Sequence, residues 1–151
     1  MVKKTKNIHY YEAVGRRKEA VSRVRLYIVG KDKTALVNDV KVKQGDVLIN
    51  SKPMSEVFSS LKDKARFMQP LKLTQNEGRF AISILVRGGG QNGQLDAIIH
   101  ALSRAIEKTD KDVCRPLLKK EGLLKRDPRV RERRKVGTGG KARRVKQSPK
   151  R

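Results

Sequence analysis

The sequence predicts an α+β fold, in which a small mixed or mostly antiparallel sheet has helices packed on one face and a long basic tail follows. Apolar residues alternate with polar ones in several short segments, which is typical of half-buried strands. Residues 95–106 instead repeat their apolar positions every three to four residues, as an amphipathic helix does. The composition then changes at residue 125. We therefore predict a basic N-terminal extension at 1–9, a globular domain at 10–124 and an extended tail at 125–151.

The first predicted elements are a pair of strands. In VSRVRLYIVG (21–30), Val24, Leu26 and Ile28 share one face of the strand, and Arg23, Arg25 and Tyr27 share the other. The segment YYEAVGR (10–16) precedes it and is predicted to be its partner, joined through the turn RRKEA. Two shorter strands are expected in KTALVND and VKVKQGDVLIN, with turns at Asn38–Asp39 and Gln44–Asp46.

Helices are predicted in three places. Pro53 suits the first position of a helix, and Met54, Val57, Phe58 and Leu61 then fall on one helical face. A strong alternating strand at Phe80–Val86 leads to the clearest helix, over Leu95–Ile106. Thr109 and Asp112 have the spacing of a capping box for a last short helix around DVCRPLLKK, with Pro116 expected in its first turn.

The tail is predicted from its composition. Of the 27 residues from Lys125 to Arg151, 13 are Lys or Arg, and few are apolar. Such a segment buries too little surface to offset its ordering entropy of about 1–2 kcal/mol per residue. We therefore expect it to become ordered on a partner, with a reach of roughly 90 Å at about 3.3 Å per residue.

The net charge predicts a polyanionic partner. Lys and Arg number 38 against 15 Asp and Glu, a formal charge of +23, so nucleic acid, an anionic membrane and acidic protein are the candidates. No apolar run is long enough to span a bilayer, no secretory signal is evident, and tail glycines argue against a basic membrane helix. A single Cys114 fits a reducing compartment, and the few His and Cys residues suggest no zinc site.

The glycine run after Phe80–Val86 raises the question of a nucleotide. Gly88-x-Gly90-x-x-Gly93 fits the dinucleotide fingerprint, but no second parallel strand is predicted after the helix. A P-loop would require Lys and Ser or Thr where Gln94 and Leu95 stand. Because helix N-terminal amides favour any phosphate, we expect the glycines to face an RNA backbone. A nucleotide-binding enzyme and a DNA-compacting protein remain the alternatives.

Four stretches together resemble the family of the ninth protein of the small ribosomal subunit, in its bacterial or organellar form. They are AVGRRKEAVSRVRL (13–26), VRGGGQNGQLDAIIHALSRAI (86–106), RPLLKKEGLLKRDPRVRERRKVG (115–137), and the terminal KARR with Lys150-Arg151. The resemblance implies the fold of the second domain of ribosomal protein five. It also implies a monomer in the head of the small subunit, beside other head proteins, in cytoplasmic or organellar ribosomes, with no catalytic residue and no cofactor.

The same resemblance implies which residues bind RNA. The tail would approach the anticodon stem-loop of peptidyl-site tRNA through Lys150 and Arg151. The residues expected to bind ribosomal RNA are Arg16, Arg17, Lys18, Gly88, Gly89, Gly90, Gln94, Arg129, Arg131, Arg133, Arg134, Lys135, Lys141, Arg143, Arg144 and Lys146.

Several features depart from the family pattern. Ser148 and Pro149 stand where an aromatic residue is usual near the end of the tail, and Lys125 stands where threonine is frequent. The segment 33–46 is longer than the usual connection, and the N-terminal lysines extend beyond the usual start.

Overall fold

The computed structural model describes residues 10–28, 34–37 and 40–136. These residues form seven strands and four helices. The strands are β1 (Tyr10–Arg17), β2 (Ala20–Ile28), β3 (Thr34–Val37), β4 (Val40–Lys43), β5 (Val47–Ile49), β6 (Lys52–Pro53) and β7 (Phe80–Arg87), and the helices are α1 (Met54–Val57), α2 (Leu61–Leu73), α3 (Gln91–Glu107) and α4 (Lys111–Lys120).

Five strands form one mixed sheet in the order β1-β2-β7-β5-β6. β1 and β7 both run antiparallel to β2, whereas β5 runs parallel to β7. Strands β3 and β4 form a separate two-stranded hairpin. The predicted α+β class and mixed sheet are thereby confirmed, and so is the turn at Gln44–Asp46, where Gly45 has a φ of 90°. The predicted turn at Asn38–Asp39 lies outside the described residues.

The core lies between the inner face of the sheet and α3. Val24, Leu26 and Ile84 are buried on the strands, and they meet a face of α3 that includes Leu95 and Ile98. Ile28, which was expected on the same buried face, is 50% exposed because it ends β2.

α3 approaches β1 very closely at Gly15. A β-carbon on Gly15 would overlap the carbonyl oxygen of Ala97 and lie 2.5 Å from the amide nitrogen of Ala101. Only a residue without a side chain fits between the strand and the helix there. The presence of glycine at position 15 is therefore explained by the close packing of β1 on α3, and not by a role in RNA binding together with Arg16 and Arg17.

The outer face of the sheet is covered over one half only. Tyr27, Ala81 and Val42 are buried together there, with Leu48 packed against them, so that β4 contributes to a second, smaller cluster. The alternation in β2 marked Tyr27 as facing away from the core, and this second cluster is the physical reason that it is nevertheless buried. The other half of the outer face has no such cover from the described residues.

The segment after β6 differs from the prediction. Pro53 ends β6 and precedes α1, and α1 ends at Val57 after a single turn. Leu61, expected on the same face, instead begins α2 and is 84% exposed. α2 was not predicted, and it buries Phe67, Pro70 and Leu71.

α4 was predicted in the right place but with the wrong cap. Asp110 is the N-cap residue, and its side chain accepts a hydrogen bond from the amide of Val113 at 3.4 Å. The Thr109 hydroxyl donates instead to the carbonyl of Ile106 at 2.7 Å. Pro116 lies in the middle of α4 rather than in its first turn.

The free edge of β1 is partly occupied by cations from α3. Arg104 donates to the carbonyl of Val14 at 2.6 Å, and Lys108 donates to the carbonyl of Glu12 at 2.7 Å. Because β1 is an edge strand, these carbonyls would otherwise be open to another strand.

Asn50 joins β5 to β7 through its side chain. Its amide nitrogen donates to the carbonyl of Val86 at 3.0 Å, and its amide oxygen accepts from the Val86 amide at 2.9 Å. Asn50 and Ser51 form the β5–β6 turn with φ values of 48° and 68°. The Asn50 side chain thus continues the parallel pairing one position beyond the end of β5.

Candidate nucleic-acid interface

The glycine turn between β7 and α3 packs against the β1–β2 hairpin. Gly88 and Gly89 have φ values of 74° and 64°, in the left-handed region that glycine tolerates best. A β-carbon on Gly88 would lie 2.6 Å from the carbonyl oxygen of Glu19, and one on Gly89 would lie 3.1 Å from the amide of Ala20. These two glycines are required by the protein's own hairpin, so their presence is not evidence for a nucleotide.

Gly90 differs from its neighbours because it faces open space. It is the N-cap residue of α3, with an ordinary φ of −102° and no side-chain cap, and a β-carbon added to it would have no described neighbour within 4 Å. The first turn of α3 contains no acidic residue. The first amides of a helix have no partner within the helix, so this end of α3 is open to an anion.

Gln94 turns back toward the glycine turn. Its amide nitrogen donates to the carbonyl of Gly88 at 3.2 Å, which helps to hold the turn against the start of α3. After α3, the described residues contain α4 but no further strand. The second parallel strand that a dinucleotide site requires after its glycine turn and helix is therefore absent from the described part of the chain.

Arg16 and Arg17 point in different directions although they are adjacent. Arg16 and Lys18 are exposed, and Lys18 has a φ of 51° in the hairpin turn. The Arg17 side chain is only 15% exposed, and its Nε donates to Asp96 of α3 at 3.4 Å. Alternate residues of a strand face opposite sides, which places Arg17 on the helix side of the sheet.

Arg17 also binds the segment that follows α4. Its guanidinium contacts the Asp127 carboxylate at 3.1 Å and donates to the carbonyl oxygen of Arg129 at 2.9 Å. Asp96 is shared with Arg66 of α2, at 2.6 Å. We call this set the Arg17 network: Arg17, Arg66, Asp96, Asp127 and Arg129. It joins the hairpin, two helices and the first residues of the predicted tail.

Asp127 and Arg129 form a tight local pair. Two nitrogens of the Arg129 guanidinium lie 2.6 Å and 3.0 Å from the Asp127 carboxylate, and the Arg129 amide donates to it at 3.0 Å. The Arg129 side-chain and amide hydrogen bonds hold the pKa of Asp127 well below its usual range, and the Arg17 charge adds to the effect. Asp127 is consequently ionised at neutral pH.

A crevice of about 290 Å³ lies beside the Arg17 network. Five Arg or Lys residues line it against two Asp residues, an excess of three positive charges. Arg16, Gln69 and Lys125 also line it, and these three side chains make no hydrogen bond or ion pair with other described residues. Both acids are paired with arginines of the Arg17 network, so the crevice presents unpaired donors and a net positive charge.

His100 and Cys114 have structural surroundings. The Nε2 of His100 lies 3.3 Å from the Leu124 carbonyl oxygen. Burial lowers the pKa of His100 and raises that of Cys114. The described residues contain no group of three or more His, Cys, Asp or Glu side chains suited to a metal ion.

The model of the ribosomal protein S9/S16 family matches residues 15–151. The match covers nearly the whole chain. The chain belongs to this family. Members of the S9/S16 family are structural proteins of the small ribosomal subunit that bind ribosomal RNA and function in translation. In the part of this S9/S16 protein that the structure describes, no helix is long and apolar enough to cross a membrane.

The structure brings some predicted RNA-binding residues of this S9/S16 protein together. The hairpin cations and the glycine turn adjoin one another, and Arg129 meets Arg17. Arg131, Arg133 and Arg134 are exposed in a segment with no helix or strand, as is Lys135. The predicted contacts Lys141, Arg143, Arg144, Lys146, Lys150 and Arg151 lie outside the described residues.

Sequence reasoning missed the acidic half of the Arg17 network. Asp96 and Asp127 hold cations that were expected to be free for RNA, and Arg66 lies on a helix that was not predicted. One signal was available: the strand alternation of β1 puts Arg17 on the same face as Ala13 and Gly15, so a partner on the helix side was to be expected.

Proposed function

We propose that this S9/S16 protein sits on ribosomal RNA in the head of the small subunit and extends its C-terminal tail toward the tRNA in the peptidyl site. In this proposal residues 10–124 are the anchor and residues 125–151 are the tail. Neighbouring head proteins complete the surroundings, and the protein is a monomer in a cytoplasmic or organellar ribosome.

The Arg17 network is the observation that carries the proposal. It fixes the first residues of the tail against the hairpin and α3 through contacts that span more than 100 positions of sequence. The direction in which the chain leaves the domain is therefore set by the domain itself. Beyond this point Arg131, Arg133 and Arg134 are exposed, and their planar guanidinium groups suit bidentate contacts with phosphates.

The hairpin, the glycine turn and the crevice form the proposed ribosomal RNA contact of the anchor. Arg16 and Lys18 are exposed on the hairpin that packs against Gly88 and Gly89, and the next residue, Gly90, faces open space at the start of α3. A phosphate there would meet helix amides and cations together, an arrangement that favours anions. Gly88 and Gly89 contribute by letting the hairpin and the turn pack closely, and Gln94 by bracing the turn.

Removal of Lys150 and Arg151 tests the tail contact with tRNA. Screened contacts of this kind are worth about 0.2–1 kcal/mol each, so we expect the loss of two to make peptidyl-site tRNA bind about two- to thirtyfold more weakly to reconstituted subunits. Initiation at non-standard start codons should also increase. Incorporation of the protein into the subunit should not change, because the anchor is intact.

The control removes two cations at the other end of the chain, with Lys3→Gln and Lys4→Gln. This variant should bind tRNA as the wild type does. If the truncated protein enters subunits and leaves tRNA affinity and start-site selection unaltered, the tail does not serve the peptidyl site.

A further inference from the structure

We infer that the half of the outer sheet face that the described residues leave uncovered is a second RNA-binding surface, which adjoins the hairpin contact at Arg16 and is separate from the tail. The inference rests on the proposed function, because it assigns another contact with the same ribosomal RNA. We call this surface the open face. Its residues are Val14 and Arg16 of β1, Val21 and Arg23 of β2, and Leu85 and Arg87 of β7.

The strand register places three arginines next to one another on the open face. Arg16 and Arg87 flank Val21 in one row across the sheet. In the next row Arg23 lies between Val14 and Leu85. Diagonal neighbours on adjacent strands are about 7–8 Å apart, so Arg23 is within reach of the same ligand as each of the other two arginines.

The arginines of the open face are available for a ligand. Arg16, Arg23 and Arg87 are all exposed, and within the described chain none of the three forms an ion pair or side-chain hydrogen bond. Arg25, two residues along β2, shows the contrast. It is paired with Glu12 at 2.6 Å and lies over the ring of Tyr10.

The floor between the arginines is apolar. Leu85 is 51% exposed in the middle of β7, and Val14 and Val21 are partly exposed beside it. No acidic residue stands in either row. Unpaired guanidinium forks suit the phosphates of a nucleic acid, and an apolar floor suits the ribose and base surfaces between the phosphates, which makes RNA the occupant that fits this surface.

The open face and the tail lie on opposite sides of the sheet. The Arg17 network holds the start of the tail on the helix side, whereas Arg23 and Arg87 project from the other side. A protein that binds RNA through both sides joins two RNA segments, one along each face.

The test compares two double variants of the full-length protein, each lacking two cations. Arg23→Gln with Arg87→Gln removes charge from the open face, and Lys119→Gln with Lys120→Gln removes the same charge from exposed positions of α4. The probe is a transcript of the head domain of small-subunit ribosomal RNA, bound over a series of KCl concentrations. Circular dichroism and thermal melting verify that both variants fold as the wild type does.

The open-face variant should bind about tenfold more weakly, because charge-assisted contacts to phosphate are strong ones. Its slope of log K against log salt should be less steep by about 1.5, at roughly 0.7–0.9 per lost contact. Equal losses in the α4 variant would show that only net charge matters and would overturn the inference.

Two further outcomes separate this inference from the proposed function. If the open-face variant binds the transcript normally but fails to enter subunits, the open face serves a protein partner and the inference is wrong. If the wild type itself does not bind the transcript, the proposed seat on ribosomal RNA fails, and this inference fails with it.

Discussion

Gly88 adopts a backbone conformation that suits glycine, and it packs directly against the turn of the β1–β2 hairpin. The sequence identified the glycine run as unusual but explained it by an RNA backbone lying close to the turn. The neighbour that excludes a side chain at Gly88 is instead the Glu19 carbonyl of the protein itself. Gly90 is the position that remains open toward solvent, so adjacent glycines in one motif have different physical roles.

This difference predicts opposite results for two substitutions. Gly88→Ala should lower the free energy of unfolding by about 2–4 kcal/mol, because it adds a positive-φ penalty to a backbone overlap. Gly90→Ser should raise it by about 0.5 kcal/mol, since serine is a good N-cap. Urea denaturation of the free protein measures both values.

RNA binding adds a second readout for Gly90→Ser. A serine side chain that caps α3 competes with a phosphate for the same helix amides, so affinity for ribosomal RNA should fall although stability rises. Unchanged affinity in this variant would mean that no phosphate contacts the start of α3.

Arg16 and Arg17 show what can be predicted for single residues. The sequence predicted both as RNA contacts, because they have the same side chain in the same basic stretch. Strand alternation separates them, and only the fold shows that Asp96 and Asp127 meet Arg17. Those acids lie 79 and 110 positions away in the sequence, a separation over which local patterns carry no information.

At the scale of elements, strong periodicity gave correct predictions and weak periodicity did not. β2, β7 and α3 were predicted in place because their apolar residues repeat regularly over many positions. α2 was missed because it has a narrow buried stripe, several charged residues and a proline at position 70. Its place against α3 depends on tertiary packing around Phe67, which overrides the local signal.

The β5–β7 junction gives a prediction at this scale. Asn50→Gly keeps the positive φ of the turn but removes two hydrogen bonds to the backbone of Val86. We expect unfolding free energy to fall by about 1–3 kcal/mol, because partly buried backbone groups lose their partners. Thermal and urea denaturation measure the effect.

Ser51→Gly is the matched control for this junction. Ser51 has a φ of 68° and makes no side-chain hydrogen bond among the described residues. Glycine suits its conformation, so stability should hold or increase slightly. Similar losses in both variants would show that the Asn50 amide does not join the strands.

At the scale of the whole molecule, the Arg17 network links the anchor to the tail. The composition predicted that residues from 125 onward become ordered only on a partner. The structure ties Asp127 and Arg129 to the hairpin, so we place the predicted dependence of order on RNA beyond these two residues. The number of charges could not predict this, because the effect of Asp96 and Asp127 depends on where the fold places them relative to Arg17.

The pKa of Asp127 makes this linkage sensitive to acid. Folding lowers that pKa, so the contribution of Asp127 is fully present above the ordinary carboxyl range near pH 4. It is lost as the pH falls through the lowered folded value. Carboxyl-carbon NMR of the full-length protein should show Asp127 titrating well below the ordinary range of an aspartate.

Asp127→Asn should release the start of the tail at neutral pH. Amide hydrogen exchange at Arg129 should become faster, whereas Glu132→Gln should leave it unchanged. If the Arg129 amide stays protected from exchange in Asp127→Asn, contacts other than those of the Asp127 carboxylate hold the start of the tail.

Two cations of α3, Arg104 and Lys108, bind the edge of β1, and this has a consequence for the protein before it assembles with RNA. Until it binds RNA, the free protein carries a sheet in which the edge strand β1 pairs on one side only within the described residues. Arg104 and Lys108 already bond two of the carbonyls that a second copy would need in order to add its own strand. The positive charge of these two side chains also repels the same edge of a second copy. Both effects disfavour edge-to-edge pairing of free copies, which would lead to fibres.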